Sequence, residues 1–280
     1  GDAQALATRL SHPVWIVRAL GDALGARRDE LERLLVADNT PARPVLVARP
    51  GRLDQTELLA IDGVTPGRYS PFAGVLTAGS PEALEVVADG RAGVQDEGSQ
   101  LIALALSRAP LEGPDDRWLD VCAGPGGKAA LLAGLAAARG ASLTAVERHP
   151  HRAALVERAC GPDVEVIVGD ATEHPWGDTR FDRVLADVPC TGLGALRRRP
   201  EARWRRTTAD LAALGPLQRA LLDAAIAAAR PGGVIAYATC SPHLAETEVV
   251  VGDLVRRGRV ELLDAPALRS EEHTSELQSR

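Results

Sequence analysis

Apolar and polar positions alternate along this chain with a period that changes from one segment to the next. Between residues 11 and 38 the apolar side chains recur at helical spacing, which predicts two short helices with Ser11 as the N-cap of the first. The stretch 43–49 is apolar and rich in valine, which predicts a strand. Because this part of the chain contains no chemical motif, we expect residues 1–95 to form a small α+β packing module.

From residue 96 onward the alternation becomes regular, with short apolar strands separated by longer amphipathic segments. The predicted strands are 118–121, 143–147, 164–168, 184–187 and 234–238, and the predicted helices are 96–107, 127–138, 150–160, 208–230 and 245–256. Strands that alternate with helices indicate a parallel, doubly wound sheet of the Rossmann-like α/β class. We expect this main domain to extend over residues 96–268.

The two ends of the chain are unusual. The sequence contains no methionine, and its last twelve residues read RSEEHTSELQSR. This run, 269–280, resembles a translated sequencing adapter, so we treat it as a non-native tail outside the fold. We therefore expect the chain to be a piece of a longer protein, truncated at both ends.

The composition is that of a soluble globular protein, with 45% hydrophobic and 25% charged residues. We find no uninterrupted apolar run of about 18 residues and no secretory signal, so we expect a cytoplasmic protein without a membrane partner. The four cysteines are far apart and form no C-x-x-C pair, which argues against a zinc site. We expect no metal, and each cysteine is either a small core residue or a reactive thiol.

A glycine-rich segment, DVCAGPGGK (120–128), joins the first predicted strand of the main domain to its first helix. Glycines there let the backbone turn sharply and approach a ligand at the positive end of a helix. The pattern is neither the G-x-G-x-x-G of dinucleotide binders nor a P-loop. Lys128 is the only lysine among 32 basic residues. Its retention in so arginine-rich a chain favours a role for it.

Acidic residues follow three successive predicted strands: Glu147, Asp170 and Asp187. An acid at the position of Glu147 typically binds ribose hydroxyls. A set of acids without a phosphate-binding pair of cations suits a nucleoside with a positively charged tail, such as S-adenosylmethionine, better than it suits NAD. The alternative is that these acids only cap helices.

Two cysteines follow neighbouring predicted strands, Cys190 in DVPCTG and Cys240 in ATCSP. Neighbouring strand ends face one cleft, so we expect both thiols to reach the methyl group of the cofactor. Two thiols there suit methylation of cytosine, because a thiolate that adds to carbon 6 activates carbon 5. The alternative is that both are buried small residues.

Three segments carry a resemblance: CAGPGGK (122–128), DVPCTG (187–192) with RRRPEARW (197–204), and ATCS (238–241). They resemble the motifs of the Sun family of RNA cytosine-5 methyltransferases, and the resemblance extends over about residues 11–265. It implies a class I methyltransferase sheet and S-adenosylmethionine as the cofactor. It assigns cofactor contacts to Cys122, Ala123, Gly124, Pro125, Gly126, Gly127, Lys128, Glu147, Asp170 and Asp187.

The same resemblance assigns the chemistry. Cys240 is the implied nucleophile and Cys190 assists product release, while Asp187 lies near the base and Lys128 lies in the active site. DNA cytosine methyltransferases place the nucleophile in the Pro-Cys motif, which would be Cys190, but the ATCS motif decides against that arrangement. Gly124 stands where the family often has alanine. The helical RNA-binding domain upstream and the final strand pair downstream are not recognisable here.

An arginine cluster follows the first cysteine motif in a chain whose net charge is −6. We expect Arg197, Arg198, Arg199 and Arg203 to contact RNA phosphates, and Trp204 to anchor their loop to the core. The expected substrate is small-subunit (16S) ribosomal RNA. We expect the protein to be a monomer. Transfer RNA is an alternative substrate, and a truncated chain that binds RNA or cofactor without turnover is another alternative.

Overall fold

The computed structural model describes residues 2–264 of the chain. The predicted tail 269–280 and the last residues of the predicted domain 96–268 lie outside this range. Residues 2–42, 188–220 and 238–262 form one compact unit, and residues 43–187, 221–237 and 263–264 form another. This grouping is discontinuous along the chain, and the division of the sequence after residue 95 stays a prediction.

Short helices and strands make up the first part of the chain. In chain order they are α1 (Ala3–Arg9), α2 (Val14–Leu24), α3 (Leu31–Asp38), β1 (Val45–Ala48), α4 (Gln55–Leu59), β2 (Val64–Pro66), β3 (Ala73–Leu76), α5 (Glu85–Ala88), β4 (Ala92–Val94) and α6 (Glu97–Arg108). The four strands form a sheet in the order β2-β3-β1-β4, and its pairs are antiparallel.

The second part of the chain alternates as predicted. Its elements are β5 (Arg117–Asp120), α7 (Gly127–Ala137), β6 (Ser142–Glu147), α8 (Pro150–Cys160), β7 (Glu165–Val168), β8 (Phe181–Asp187), α9 (Ala202–Arg205), α10 (Thr208–Ala228), β9 (Ala229–Ala238) and α11 (Glu248–Arg256). The five strands form a parallel sheet in the order β7-β6-β5-β8-β9. The predicted Rossmann-like sheet is confirmed.

This strand order explains where ligands can bind. The chain winds outward from β5 to β6 and β7, then returns to the other side of β5 for β8 and β9. The reversal beside β5 is a topological switch point, and ligands of such sheets bind at the carboxyl ends of the strands there. Central strands are buried on both faces, as the consecutive residues Val184 and Leu185 of β8 show at 0% exposure. The residues that end these strands are therefore held by a rigid core.

The N-terminal helices pack on a later part of their own unit. Ile16, Leu20 and Leu35 share a buried cluster with Leu193 and Leu196, which follow the first cysteine motif. The expected N-cap at Ser11 is wrong: α2 begins after Pro13, and Ser11 has a φ of 55° with no capping bond to the helix. These helices therefore support the segment after Cys190.

Within residues 2–264 one helix, α10, is long and apolar enough to cross a membrane by length and composition alone. A core helix of a soluble protein meets the same criterion, and a third of its apolar window is buried. Gln218 in this helix is fully buried and donates to the carbonyl of Pro189. A buried amide with protein partners is typical of a packed helix.

Candidate active site at the strand ends

The turn between β5 and α7, which we name the glycine loop (residues 121–126), is built from backbone hydrogen bonds. The N–H of Val121 donates to Leu185 and that of Ala123 donates to Val146, so the loop is tied to both neighbouring strands. Gly126 has a φ of 108°, which favours glycine, and a Cβ there would lie 2.8 Å from the Cβ of Ala159. The sequence prediction of a sharp turn before a helix is confirmed.

Glu147, the last residue of β6, holds the glycine loop from the side. Its Oε2 accepts the N–H of Gly124 at 3.1 Å, and its Oε1 accepts the N–H of His149 at 2.8 Å. Its side chain is only 6% exposed. A Cβ at position 124 would lie 2.0 Å from Oε2, so the glycine and this carboxylate position belong together. A carboxylate has about four acceptor sites, so hydroxyl groups could still bind it.

Lys128 is paired rather than free. Its Nζ donates to Oδ2 of Asp187 at 2.8 Å and to Oγ of Ser99 at 3.2 Å. The side chains of Lys128 and Asp187 are 14% and 29% exposed. The structure therefore brings together the only lysine of the chain and the acid that ends β8, which the sequence analysis assigned to one site. The ion pair also leaves no net positive charge here for a phosphate.

Asp170 is occupied locally. Its Oδ1 accepts the N–H and the hydroxyl of Thr172, at 3.0 and 2.7 Å, and caps the short 3-10 helix Ala171–Glu173. Its Oδ2 lies 3.6 Å from Arg148. The hydrogen bonds from Thr172 lower the pKa of Asp170. The helix-capping alternative thus describes part of what this residue does, and a ligand contact stays a proposal.

Asp120 is a buried acid that the sequence analysis did not single out. It ends β5 with 1% exposure; its Oδ1 accepts the N–H of Cys122, and its Oδ2 has no hydrogen-bond partner among the described residues. Burial raises the pKa of Asp120 to about 7, and the charge of nearby Asp187 adds to the rise. The sequence feature that could have identified Asp120 is its position at the end of a central strand.

The structure brings the two predicted cysteines together. Sγ of Cys190 lies 3.2 Å from Sγ of Cys240, and Cys240 is exposed. Their loops are joined by backbone hydrogen bonds from Val188 to Ala238 and from Gly194 to the carbonyl of Cys240. The alternative that both are buried core residues is wrong for Cys240. Cys160, by contrast, is buried at 4% exposure, and burial raises the pKa of its thiol to about 12.

The environment of the pair separates the two thiols. The hydrogen bond with Cys240 raises the pKa of Cys190, and burial and the negative charge of Glu246 raise it further. Cys190 is therefore held as a protonated thiol that can donate to its neighbour. In the glycine loop, burial likewise raises the pKa of Cys122, so that thiol is not a nucleophile candidate.

The arginine cluster differs from expectation at two positions. Arg203 is 3% exposed, and its guanidinium donates to the backbone carbonyls of Ser11 and Asp38 and to Asn39. Burial lowers its pKa. Trp204 is 64% exposed. The expected roles are thus exchanged, because Arg203 anchors the segment and Trp204 faces solvent. We withdraw Arg203 as an RNA contact.

The other predicted arginines lie on the surface. Arg197, Arg198 and Arg199 are exposed. Arg197 also donates to the carbonyls of Thr40 and Pro41. Over residues 2–264, no group of three or more His, Cys, Asp or Glu side chains could hold a metal ion.

Comparison with known proteins assigns the chain to a family. Residues 109–279 match the family described as 16S rRNA methyltransferase RsmB/F. The chain belongs to the RsmB/F family. The resemblance to Sun-family motifs is thereby confirmed. Members of this family are S-adenosylmethionine-dependent methyltransferases.

Curated relatives match most of this chain. The Mycobacterium tuberculosis protein Rv1407, which is named as a methyltransferase, is 58% identical over 259 residues. The match covers 92% of this chain and 56% of the relative. The ribosomal RNA small subunit methyltransferase B of Erwinia tasmaniensis is 33% identical over 270 residues, covering 92% of this chain and 59% of the relative. The chain therefore spans a little over half the length of these relatives.

Solved structures agree with the fold. The crystal structure of PH0851 matches with a TM-score of 0.81 and 25% identity, over 92% of this chain and 59% of that one. NSun6 from Pyrococcus horikoshii, solved with SFG, matches with a TM-score of 0.73 and 20% identity, over 86% of this chain and 87% of that one. The second likeness concerns the fold alone.

The glycine loop fits the cofactor of the RsmB/F family. The loop is partly exposed at Cys122, Gly124 and Pro125, beside the N-terminus of α7, so a ligand can approach its backbone there. The Glu147 carboxylate has remaining acceptor capacity for hydroxyl groups. Among the described residues, Lys128 is paired with Asp187 and Arg152 lies 3.6 Å from Glu147, so acids offset both cations beside the loop.

Proposed function

We propose that this chain methylates carbon 5 of a cytidine in RNA, with S-adenosylmethionine as methyl donor, through a transient bond between Cys240 and the base. The expected substrate is 16S ribosomal RNA, in keeping with the named activity of its relatives. The observation that carries the proposal is the cysteine pair, whose sulfur atoms lie 3.2 Å apart with Cys240 exposed.

Cys240 supplies the nucleophile. Its thiolate forms a bond to carbon 6 of the cytosine, and the electrons of the carbon 5–carbon 6 double bond become available at carbon 5. S-adenosylmethionine, when bound, supplies the electrophilic methyl group for that carbon. A water molecule takes the proton from carbon 5, the electron pair of that bond re-forms the carbon 5–carbon 6 double bond, and Cys240 leaves carbon 6 as a thiolate. The aromatic ring and the thiolate are thereby restored.

Cys190 supplies a hydrogen-bond donor. Its raised pKa keeps it protonated, so its S–H can stabilise a thiolate on Cys240 at 3.2 Å. We assign it the role of assisting product release, when Cys240 must leave the base as a thiolate. Asp187 is assigned to the cytosine ring, with Lys128 fixing its orientation through their 2.8 Å ion pair.

The cofactor contacts are assigned to the glycine loop and the neighbouring acids. Residues 122–128 would lie against the methionine and ribose parts, Glu147 would accept the ribose hydroxyls, and Asp170 would meet the adenine edge. The support is the partly exposed backbone at Gly124 beside a carboxylate that still has acceptor capacity. NSun6 of P. horikoshii, which shares the fold, has been solved with SFG, an analogue of S-adenosylmethionine.

RNA contacts are assigned to the exposed surface after Cys190. Arg197, Arg198 and Arg199 would bind phosphates. Trp204 joins them because its ring is 64% exposed beside these arginines in the chain, which suits stacking on an unpaired base. We further propose that the protein acts in the cytoplasm, as a monomer and without a metal ion.

Covalent trapping tests the proposed function. In 5-fluorocytidine, fluorine replaces the carbon 5 hydrogen that must leave as a proton. RNA that contains this base should therefore accumulate the adduct with Cys240 when S-adenosylmethionine is present. Cys240→Ala should give no adduct, and Cys190→Ala should accumulate adduct even on unmodified RNA. Reversed phenotypes would exchange the two roles.

Mass spectrometry of the RNA after incubation with labelled cofactor identifies the product. Label on 5-methylcytidine supports the proposal, and label on uridine or adenosine rejects it. Comparing 16S ribosomal RNA with transfer RNA decides the substrate. Cofactor binding without label on either RNA would identify a fragment without turnover.

A further inference from the structure

A buried carboxyl group contacts the residue next to Cys190. Glu246 belongs to the short 3-10 helix Leu244–Glu246, which follows the ATCSP segment, and it is 1% exposed. His243 caps this helix, because its Nδ1 accepts the N–H of Ala245. Burying a carboxyl group is costly unless hydrogen bonds satisfy it. Its partners therefore indicate why an acid stands there.

Both oxygens of Glu246 bind residues that flank Cys190. Oε1 accepts the N–H of Thr191 at 2.8 Å and the side-chain amide of Gln218 at 3.0 Å, and Oε2 accepts the hydroxyl of Thr191 at 2.5 Å. The same amide of Gln218 donates its other hydrogen to the carbonyl of Pro189 at 2.9 Å. The residues before and after Cys190 are thus both held, directly or through Gln218, by one carboxyl group.

The network continues to the residues that flank Cys240. The hydroxyl of Thr191 lies 3.1 Å from that of Ser241. Since Thr191 donates its hydrogen to Glu246, Ser241 is the donor in this second bond. Oγ of Ser241 then accepts the N–H of His243 at 3.3 Å. Each hydroxyl group in this series of hydrogen bonds therefore donates to one defined acceptor.

We propose that Glu246 is a positioning residue that sets the distance and orientation of Cys190 relative to Cys240. The inference rests on the proposed function, because it explains how the two thiols are kept at working distance. Keeping the two sulfur atoms 3.2 Å apart requires that the Cys190 and Cys240 loops stay fixed relative to each other. At Val188 and Gly194, backbone hydrogen bonds join the two loops. The Glu246 network adds side-chain hydrogen bonds that fix the residues next to each sulfur.

A bifunctional thiol reagent tests the spacing without cofactor or RNA. Dibromobimane bridges two thiols only when they lie close together, and the bridged product is resolved by mass spectrometry. Glu246→Ala leaves three buried donors without their acceptor, so we expect bridging of Cys190 to Cys240 to slow about tenfold or more. Glu248→Gln, two residues on and exposed, is the matched control and should bridge like the unaltered chain.

Two further variants keep the test decisive if Glu246→Ala does not fold. Glu246→Gln retains the shape and one acceptor oxygen, so it should partly rescue bridging. Thr191→Val removes the hydroxyl but keeps the N–H bond to Glu246, so its loss should be intermediate. Thermal melting identifies which variants are folded. A folded Glu246→Ala or Thr191→Val that bridges at the unaltered rate would overturn the proposal.

Kinetics separate positioning from general damage. We expect Glu246→Ala to lower kcat for methyl transfer about tenfold or more, with KM for RNA and Kd for S-adenosylmethionine unchanged. A rise in KM with unchanged kcat would contradict a positioning role. If the chain methylates no RNA at all, the proposed function fails, and the bridging rates still decide whether Glu246 sets the spacing.

Discussion

The glycine loop and the cysteine pair are both built where strands end, but by different means. The glycine loop is held by backbone bonds to Leu185 and Val146 and by one carboxylate, that of Glu147 at the end of β6. The cysteine pair is held by side chains from separate segments, which meet at buried Glu246. One region is held mainly by backbone hydrogen bonds between strand ends, and the other combines backbone bonds between its loops with a network of buried side chains.

This difference matches the tasks proposed for the two regions. A cofactor loop has to expose backbone groups, and glycines with a nearby acid achieve that with few partners. A reactive pair of thiols has to be held at a fixed spacing while one sulfur stays accessible. Buried hydrogen-bonded networks give that rigidity, because each unsatisfied member is costly. We therefore expect substitutions in the two regions to fail in different ways.

The largest expected effect is loss of the nucleophile. Cys240→Ala should lower the rate of methyl transfer at least about a thousandfold, because it removes the proposed nucleophile and the raised pKa of Cys190 keeps that thiol protonated. Single-turnover transfer of a labelled methyl group measures it. Cys160→Ala is the control, since that cysteine is buried at 4% exposure outside both regions and should retain activity. Equal losses in both variants would point to folding instead.

The next effect concerns the anchor of the segment after Cys190. Arg203→Ala should lower the free energy of unfolding by about 2–4 kcal/mol, because it leaves several buried acceptors without their donor. The neighbouring Trp204→Ala, at 64% exposure, should change it by less than about 0.5 kcal/mol. Urea denaturation compares the two variants.

The same two variants also separate anchoring from RNA binding. Trp204→Ala should weaken binding of single-stranded RNA about tenfold, the loss of one stacked base. Filter binding at fixed salt measures the affinity. Unchanged RNA affinity in Trp204→Ala, at unchanged stability, would remove Trp204 from the proposed RNA surface.

A pH-dependent effect should appear at Asp120, which ends β5 just before the glycine loop. The pKa of Asp120 is raised to about 7, so the folded state holds this proton more tightly than the unfolded chain does. The free energy of unfolding should therefore fall as pH rises from about 4 to about 7. Asp120→Asn keeps the acceptor for Cys122 and cannot ionise, so it should gain about 1–3 kcal/mol over the unaltered chain between pH 5 and pH 8. Parallel stability curves for the two proteins would contradict this.

The smallest expected effect is steric. Gly124→Ala places a Cβ where Oε2 of Glu147 now lies, so the carboxylate must move and its bond to residue 124 is lost. We expect the Kd for S-adenosylmethionine to rise about tenfold, the value of one hydrogen bond. Calorimetric titration measures it. Gly98→Ala is the control, because a Cβ there meets only Asp96, at 3.7 Å. An unchanged Kd in Gly124→Ala would show that Glu147 moves without cost.

The sequence by itself determined the fold class and the main elements of the site. Periodicity predicted the five strands of the parallel sheet, because strands buried on both faces read as short apolar runs between helices. The glycines of residues 122–128 and the two cysteine motifs were visible because their spacing follows strand ends. The topological rule for such sheets then placed Cys190 and Cys240 near one another.

Only the tertiary structure decided which polar side chains are buried and by what they are satisfied. Arg203 and Trp204 are adjacent in one arginine-rich segment, and only the packing against the N-terminal helices turns the arginine inward and the tryptophan outward. Glu246 falls in the predicted helix 245–256, and its partners come from α10 and from the Cys190 loop. Such contacts join residues far apart in the chain, so no local pattern carries them.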